Sequence, residues 1–386
     1  MADSNHVYRQ LQKHLDKQPV GYPKTITGSD LKLLKHIFTP YEAELAMSLD
    51  YKFSPVDAIL PKVNQPGLSE EDLKQQLFEL AKKGGVGYRD KDGDELYANI
   101  PLIVGMYEGY LEKLSPEFLK DFSKYTNSIS YGISFLATNK VQMRTIPVEE
   151  SVTPENNISQ FDEVIQLLEK SEGPFIAVSC ICRKGKKMEG ATCTATDRVD
   201  TCLVVNELAK GVQKAGVGSN LSKEEAIDLI RKNTEEGLIL QPSNTQEIDF
   251  ICSCCGCCCG MLNVHKKLPN PADYWATNFY SEIDHDNCNG CGICAKKCQV
   301  DAIKFKKIKG KKNKVSVNLR KCLGCGNCVV SCKFDGIHLV KKESIRKPPK
   351  NHDDLYETIM QAKNDKWGTF KTVTKAALGI PQSNDR

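Results

Sequence analysis

No cysteine occurs among the first 150 residues of this 386-residue chain, and tryptophan appears only twice. Long apolar runs are missing as well: Phe175 to Val178 is interrupted at Ser179, far short of the ~18 residues needed to span a bilayer. The polar start MADSNHVYRQ has no signal-peptide core, so a cytoplasmic protein with no membrane span is expected. Two glycine-rich stretches, GVGYRDKDGD and GVQKAGVGSN, lack the Lys-Ser/Thr ending of a phosphate-binding loop and the strand–turn–helix setting of a dinucleotide fingerprint. No nucleotide or flavin site is therefore expected. No nucleophile–base signature is readable locally either, which assigns any organic chemistry to a partner.

What remains is an ordinary globular composition, 40% hydrophobic and 26% charged, long enough for two or three packed domains. The net charge of +4 is local in origin, because Lys304 to Lys314 holds seven lysines in eleven residues. All eighteen cysteines lie between Cys180 and Cys332, many of them two or three residues apart. Without an export signal, such crowding favours metal ligation over disulfides.

The cysteine boundary and the local patterns divide the chain into segments 1–150, 151–279, 280–345 and 346–386, and predict an α+β, multi-domain protein. In the first, Ser29 and Asp30 lead into one helix, and Thr39, Pro40 and Glu42 form the capping box of the next. Ser54-Pro55 is expected to start a further short helix. Leu73, Leu77 and Leu80 recur at helical spacing before a Gly84 stop, and Asp92-Gly93 reads as a hairpin turn. Three helices and a hairpin predict a winged-helix-like unit. In the second segment, helices are expected over FDEVIQLLEK and from Ser222, and the strands PFIAVSCIC and EIDFICSC each end in cysteines. That pattern would bring Cys180 and Cys182 near Cys252 and Cys254 at one edge of a small α/β layer. The tail from Asp353 to Leu378 reads as helical, with Leu355, Ile359 and Trp367 as anchors.

The strongest motif is a repeat: Cys288-x2-Cys291-x2-Cys294-x3-Cys298, then Cys322-x2-Cys325-x2-Cys328-x3-Cys332. The x2 spacing lets three thiolates wrap three corners of a cubane while the fourth cysteine of each run ligates the other cluster. One 4Fe–4S cluster is thus expected on Cys288, Cys291, Cys294 and Cys332, the second on Cys322, Cys325, Cys328 and Cys298. Gly290, Gly292, Gly324 and Gly326 would let the backbone crowd the sulfides. Zinc knuckles are the alternative, but they need two cysteine pairs a dozen or more residues apart. Here four cysteines fall within eleven residues, twice.

With these runs and their DAI/DGI continuations at Asp301 to Ile303 and Asp335 to Ile337, residues 280–340 resemble the bacterial-type dicluster ferredoxins. The resemblance implies two low-potential clusters exchanging one electron each. It departs from the family where Gln299 and Lys333 stand in place of the proline that usually follows the fourth cysteine. Ten further cysteines (Cys180, Cys182, Cys193, Cys202, Cys252, Cys254, Cys255, Cys257, Cys258 and Cys259) carry a wider resemblance. With CICR and CSCCGCCC, the chain resembles multi-domain 4Fe–4S binding proteins of anaerobic bacteria, in which a winged-helix-like N-terminus, a cysteine-rich middle and a dicluster ferredoxin follow in this order. That implies electron transfer and names no substrate. For the middle ten, one or two additional iron–sulfur clusters are expected; a zinc or other structural metal site and redox-active thiols are the alternatives weighed.

Among the histidines, His36, His265 and His285 are expected to be structural or solvated, with the last two closest in sequence to cysteines. Residues 1–150 hold 18 Lys/Arg against 21 Asp/Glu, and Glu70, Glu71 and Asp72 open the candidate recognition helix. Such charges would repel DNA, so no nucleic-acid partner is expected and the N-terminal unit is assigned to docking or dimerisation. The lysine run suits steering toward an acidic redox partner. The reading is an electron-transfer protein or oxidoreductase subunit, either a complex subunit or a homo-oligomer. The rivals are an iron–sulfur redox-sensing regulator and a reductase with an open-site cluster in the middle region.

Overall fold

The structure is a computed structural model describing residues 2–136, 140–152, 159–363, 366–378 and 380. Helices and antiparallel sheets are mixed throughout, an α+β arrangement. The chain packs as two units: Met1–Thr138 with Glu207–Val217 and Tyr356–Thr369, and Asn139–Asn206 with Gly218–Leu355 and Phe370–Arg386.

In the first unit, the helix Pro40–Ala46 is held at its start by a reciprocal cap. Thr39 Oγ1 accepts the Glu42 N–H, and the Glu42 carboxylate accepts the Thr39 N–H at 2.8 Å. The helix Glu70–Lys82 begins on a Ser69 cap and buries Leu73, Leu77 and Leu80, which share one face at helical spacing. Strands β2 (Gly87–Lys91) and β3 (Asp94–Ala98) form the expected hairpin. Its turn residues Asp92 and Gly93 both have positive φ, 55° and 95°, the backbone that matches strand twist. The short helix expected at Ser54-Pro55 begins at Val56, because Ser54–Pro55 are extended and pair with β3 as strand β1, giving the order β1-β3-β2.

The second unit is built on a five-stranded antiparallel sheet ordered β6-β4-β5-β8-β7, with β4 Phe175–Ser179, β5 Asp200–Val205, β6 Ser219–Leu221, β7 Ile239–Pro242 and β8 Phe250–Cys254. Leu203, Val205 and Ile251 point to one face, where they pack with Val164, Leu167 and Leu168 of the helix Val164–Glu169 and with Ala226 and Ile230 of the helix Lys223–Glu235. Alternation therefore sends Cys202, Cys252 and Cys254 to the opposite face. The helix expected over FDEVIQLLEK is shorter than its pattern. Residues Gln160–Asp162 form a separate 3-10 turn in which the buried Asp162 carboxylate accepts from Asn278 Nδ2 at 2.7 Å.

The same unit continues into two strand pairs: β9 (Phe279–Ile283) with β12 (Ile337–Lys341), and β10 (Ile303–Lys306) with β11 (Lys314–Val317). The strand–helix–strand pattern recurs 34 residues later at each position, so Gly292 and Gly326 both open short helices in the left-handed region at φ 77° and 82°. Each half pairs its strands with the other half. The tail forms the helices His352–Ala362, in which Leu355 and Ile359 are buried, and Lys366–Ala377. The Trp367 side chain lies outside the described residues.

Candidate metal centres

Crossed pairing of the two C-terminal halves exchanges their last cysteines. Cys288, Cys291, Cys294 and Cys332 line one small cavity together with Gly292, Ile293, Val315 and Ile337. The Cys294 thiol is raised above its usual value by burial first and then by Cys288, Cys291 and Cys332. In the other set, burial leads the upward shift of Cys325, followed by the charges of Cys328, Cys298 and Cys322. This second set also receives polar hydrogens: Ser281 N–H donates to Cys322 Sγ at 3.4 Å and Ala302 N–H to Cys298 Sγ at 3.2 Å. Burial pushes Cys328 up to about 12, and it faces both Ser281 and, across the module, Cys294. Four sulfurs about an apolar space, with left-handed glycines that admit the backbone, are the donor set a 4Fe–4S cluster takes.

The two sets differ in exposure. Cys291 is exposed, and Ile293, Phe305 and Phe334 form a partly exposed apolar rim near it. The hairpin β10–β11 packs on this first set, with Asn313 Nδ2 donating to the Gly290 carbonyl at 3.1 Å. All seven lysines of 304–314 are exposed on that hairpin. Cys322 and Cys328 of the second set are buried, against segment 140–152, whose Val148 N–H donates to the Cys325 carbonyl at 3.0 Å.

The middle cysteines collect at one end of the five-stranded sheet. β4 and β8 both run antiparallel to β5, so their C-terminal ends and the start of β5 coincide. Cys180 and Cys182 follow β4, Cys202 lies on β5, and Cys252 and Cys254 lie on β8. Sequence patterning expected Cys180 and Cys182 near Cys252 and Cys254 at one edge; it did not reveal that strand β5, carrying Cys202, lies between them. Neighbouring thiols shift one another's ionisation in sequence, Cys180 with Cys182 and Cys202, Cys202 with Cys252, Cys252 with Cys254, Cys254 with Cys259, and Cys259 back with Cys182. These six thiols form a closed ring.

The other four middle cysteines gather separately. Cys255, Cys257 and Cys258 occupy the turn after β8, and Cys193 comes from the loop before β5. Arg198 pins that loop, its Nε donating to Glu236 at 2.9 Å and its Nη2 to Glu236 and Asn233, each at 2.7 Å. Burial pushes Cys255 up to about 11. Burial also opposes ionisation of Cys257, but hydrogen bonds from Thr194 and the adjacent thiols bring it down to about 6. Arg183 stands between the two sets, only 3% exposed. Its guanidinium donates to Thr201 Oγ1 and to the Ser253 carbonyl. Burial works against its charge, but Cys180, Cys255 and Cys202 hold it protonated.

Gln299 and Gly256, which sequence reasoning left without a role, join the middle cysteines to the second ferredoxin set. The Gly256 N–H donates to Gln299 Oε1 at 2.9 Å, and Gln299 Nε2 donates to the Gly237 carbonyl at 3.2 Å. That carbonyl also accepts from Asn327 Nδ2 at 2.7 Å. A proline at position 299 would lack the side-chain amide that makes this joint. Lys333, the other departure from the family pattern, is exposed to solvent, which screens its charge.

His265 is fully buried, and neither ring nitrogen has a hydrogen-bond partner among the described residues. It lies edge-on to Trp275 at 4.8 Å, and burial together with Lys321 and Lys266 lowers it to about 3, keeping it neutral. His36 bonds Asp121 at 3.0 Å, and His285 is exposed. Among the described residues, no helix is long and apolar enough to cross a membrane.

Residues 287–335 match the family described as "4Fe-4S dicluster domain". A stretch of 28 residues is 61% identical to pyruvate synthase subunit PorD of Methanothermobacter marburgensis, covering 7% of this chain and 35% of that relative. The chain thus spans about a third of the curated relative it matches. No solved structure matches it. With the two thiol sets brought together inside the matched segment, the chain is an iron–sulfur protein carrying a ferredoxin-like domain near its C-terminus.

Proposed function

We propose that this chain is a cytoplasmic iron–sulfur electron-transfer protein of anaerobic metabolism, or the electron-transferring subunit of an oxidoreductase complex. It would carry 4Fe–4S clusters on Cys288, Cys291, Cys294 and Cys332 and on Cys322, Cys325, Cys328 and Cys298, with a further iron–sulfur centre on the middle ring. The observation that carries this reading is the exchange of Cys298 and Cys332 between the two halves, which completes two four-thiol sets. Bound there, such clusters supply one-electron carriers at low potential.

The protein's own groups would give the path a direction. The exposed Cys291, its apolar rim and the lysine hairpin put the first set where a partner can approach, and the positive patch favours an acidic one. Cys294 and Cys328 link the first set to the second, and Gln299 with Gly256 leads from the second to the middle cysteines. That the relative at 61% identity is named as a subunit of pyruvate synthase supports a role inside a complex.

The N-terminal unit fits a winged-helix-like docking module. The β2–β3 hairpin of its β1-β3-β2 sheet follows the helix Glu70–Lys82, whose exposed opening acids Glu70, Glu71 and Asp72 oppose a DNA duplex and suit a protein surface. The test is anaerobic purification of the full chain with iron and sulfide quantitation and EPR. About eight or more irons with matching sulfide, and cubane signals on reduction, are expected for two four-iron clusters. Protein containing zinc alone would end this reading.

A further inference from the structure

The ten middle cysteines fall into two sets of opposite geometry. Six form the ring Cys180, Cys182, Cys259, Cys254, Cys252 and Cys202. The other four close on a point. The Sγ atoms of Cys193, Cys255, Cys257 and Cys258 all lie within 4.8 Å of one another. Cys193 is 3.6 Å from both Cys255 and Cys257, and Cys257 is 3.7 Å from Cys258. Among the described residues, no other group of three or more Cys, His, Asp or Glu gathers this tightly, the ring and both ferredoxin sets included.

Spacing decides what each set can hold. A cubane sits inside its four ligands with each thiolate on a separate iron, so the sulfurs are kept apart by the width of the cluster. A single tetrahedral ion about 2.3 Å from each sulfur instead sets neighbouring sulfurs about 3.8 Å apart. The quartet has the second spacing.

We propose that Cys193, Cys255, Cys257 and Cys258 bind one tetrahedral thiophilic metal ion, zinc or iron, rather than an iron–sulfur cluster. On binding a divalent ion the four cysteines give up to solvent the thiol protons they still carry, leaving a tetrathiolate of net charge about −2. The buried Arg183 guanidinium beside Cys255 supplies opposite charge where water cannot. The ion would fasten the Arg198-pinned loop that carries Cys193 to the turn carrying the other three. The inference stands apart from the ferredoxin clusters, since it concerns metal bound without sulfide.

The test compares the full-length anaerobic protein with Cys193→Ser, counting iron, zinc and acid-labile sulfide per chain. The variant should lose about one metal atom per chain and no sulfide. Loss of zinc identifies a structural ion, and loss of iron identifies a mononuclear iron centre. Loss of about four irons with about four sulfides overturns the proposal, as does the loss of no metal. If the serine variant fails to fold, the unmodified chain still answers. Zinc-edge X-ray absorption should show four sulfurs and no neighbouring metal, or Mössbauer spectra should contain an isolated high-spin ferrous tetrathiolate. The lack of both signals overturns it equally. Failure of the two ferredoxin clusters would show separately, as a protein without sulfide.

Discussion

Gly256 sits where two backbones nearly touch. A Cβ built there would lie 1.9 Å from the Gln299 carbonyl oxygen and 2.9 Å from Lys266 Nζ, and the first of these is main chain that cannot swing aside. Gly260, four residues on, has open space around the same position. Gly256→Ala is therefore expected to destabilise the second unit by about 1–3 kcal/mol, the usual effect of overpacking, whereas Gly260→Ala should be near neutral. Calorimetric melting of the two anaerobic variants checks the contrast. The glycine was visible in CSCCGCCC, but the need for it was not, because its opposing atom belongs to a residue 43 positions away. Arg183 gives the same lesson. Its place in CICR was legible, while its position between two groups of thiols depends on Thr201 and Ser253 receiving its hydrogen bonds.

At the scale of elements, what matters is which strand neighbours which. The capped helix at Pro40–Ala46 and the Asp92-Gly93 hairpin could be read directly, since caps and turns are fixed by adjacent residues. The five-stranded sheet could not be read so. PFIAVSCIC and EIDFICSC announce two strands, but β5 between them places their cysteines together, and its pairing reaches as far as Leu203 with Ile251, 48 positions apart. The repeat in the ferredoxin module shows how such pairing governs chemistry. Because β9 pairs β12 and β10 pairs β11, Cys332 joins the first thiol set and Cys298 the second. Cys332→Ala is accordingly expected to disturb the centre on Cys288, Cys291 and Cys294 and to spare the one on Cys322, Cys325 and Cys328. EPR of the reduced variant should show one of two cubane signals lost or altered, with iron down by as many as about four per chain. Loss of the signal from its own run instead would overturn the crossed assignment.

Across the whole molecule, charge and exposure are distributed unevenly along the path of sulfurs. The seven exposed lysines of 304–314 border the most accessible thiol set, while residues 1–150 carry net negative charge. Oxidation of the reduced protein by the anionic hexacyanoferrate ion should therefore slow as salt rises from about 0.01 to 0.15 M, because the Debye length shrinks from about 30 to 8 Å. Replacing Lys307, Lys309, Lys311 and Lys312 by Gln should lower the low-salt rate by about tenfold and flatten its salt dependence. A stopped-flow comparison, with a cationic oxidant such as hexaammineruthenium as control, measures both effects.

Sequence alone determined which atoms this protein has available for metal chemistry. Cysteine spacing is a local property, and it marked two cubane runs and a sulfur-rich middle without reference to any fold. Tertiary structure decided how the middle sulfurs are shared out, a closed ring of six and a compact quartet, and supplied the strand pairing that brings together the first of the crossed sets expected from the spacing. The physical reason is that ligation depends on distances between sulfurs far apart in the chain. Those distances are set by strand order and backbone contact, which no local spacing encodes.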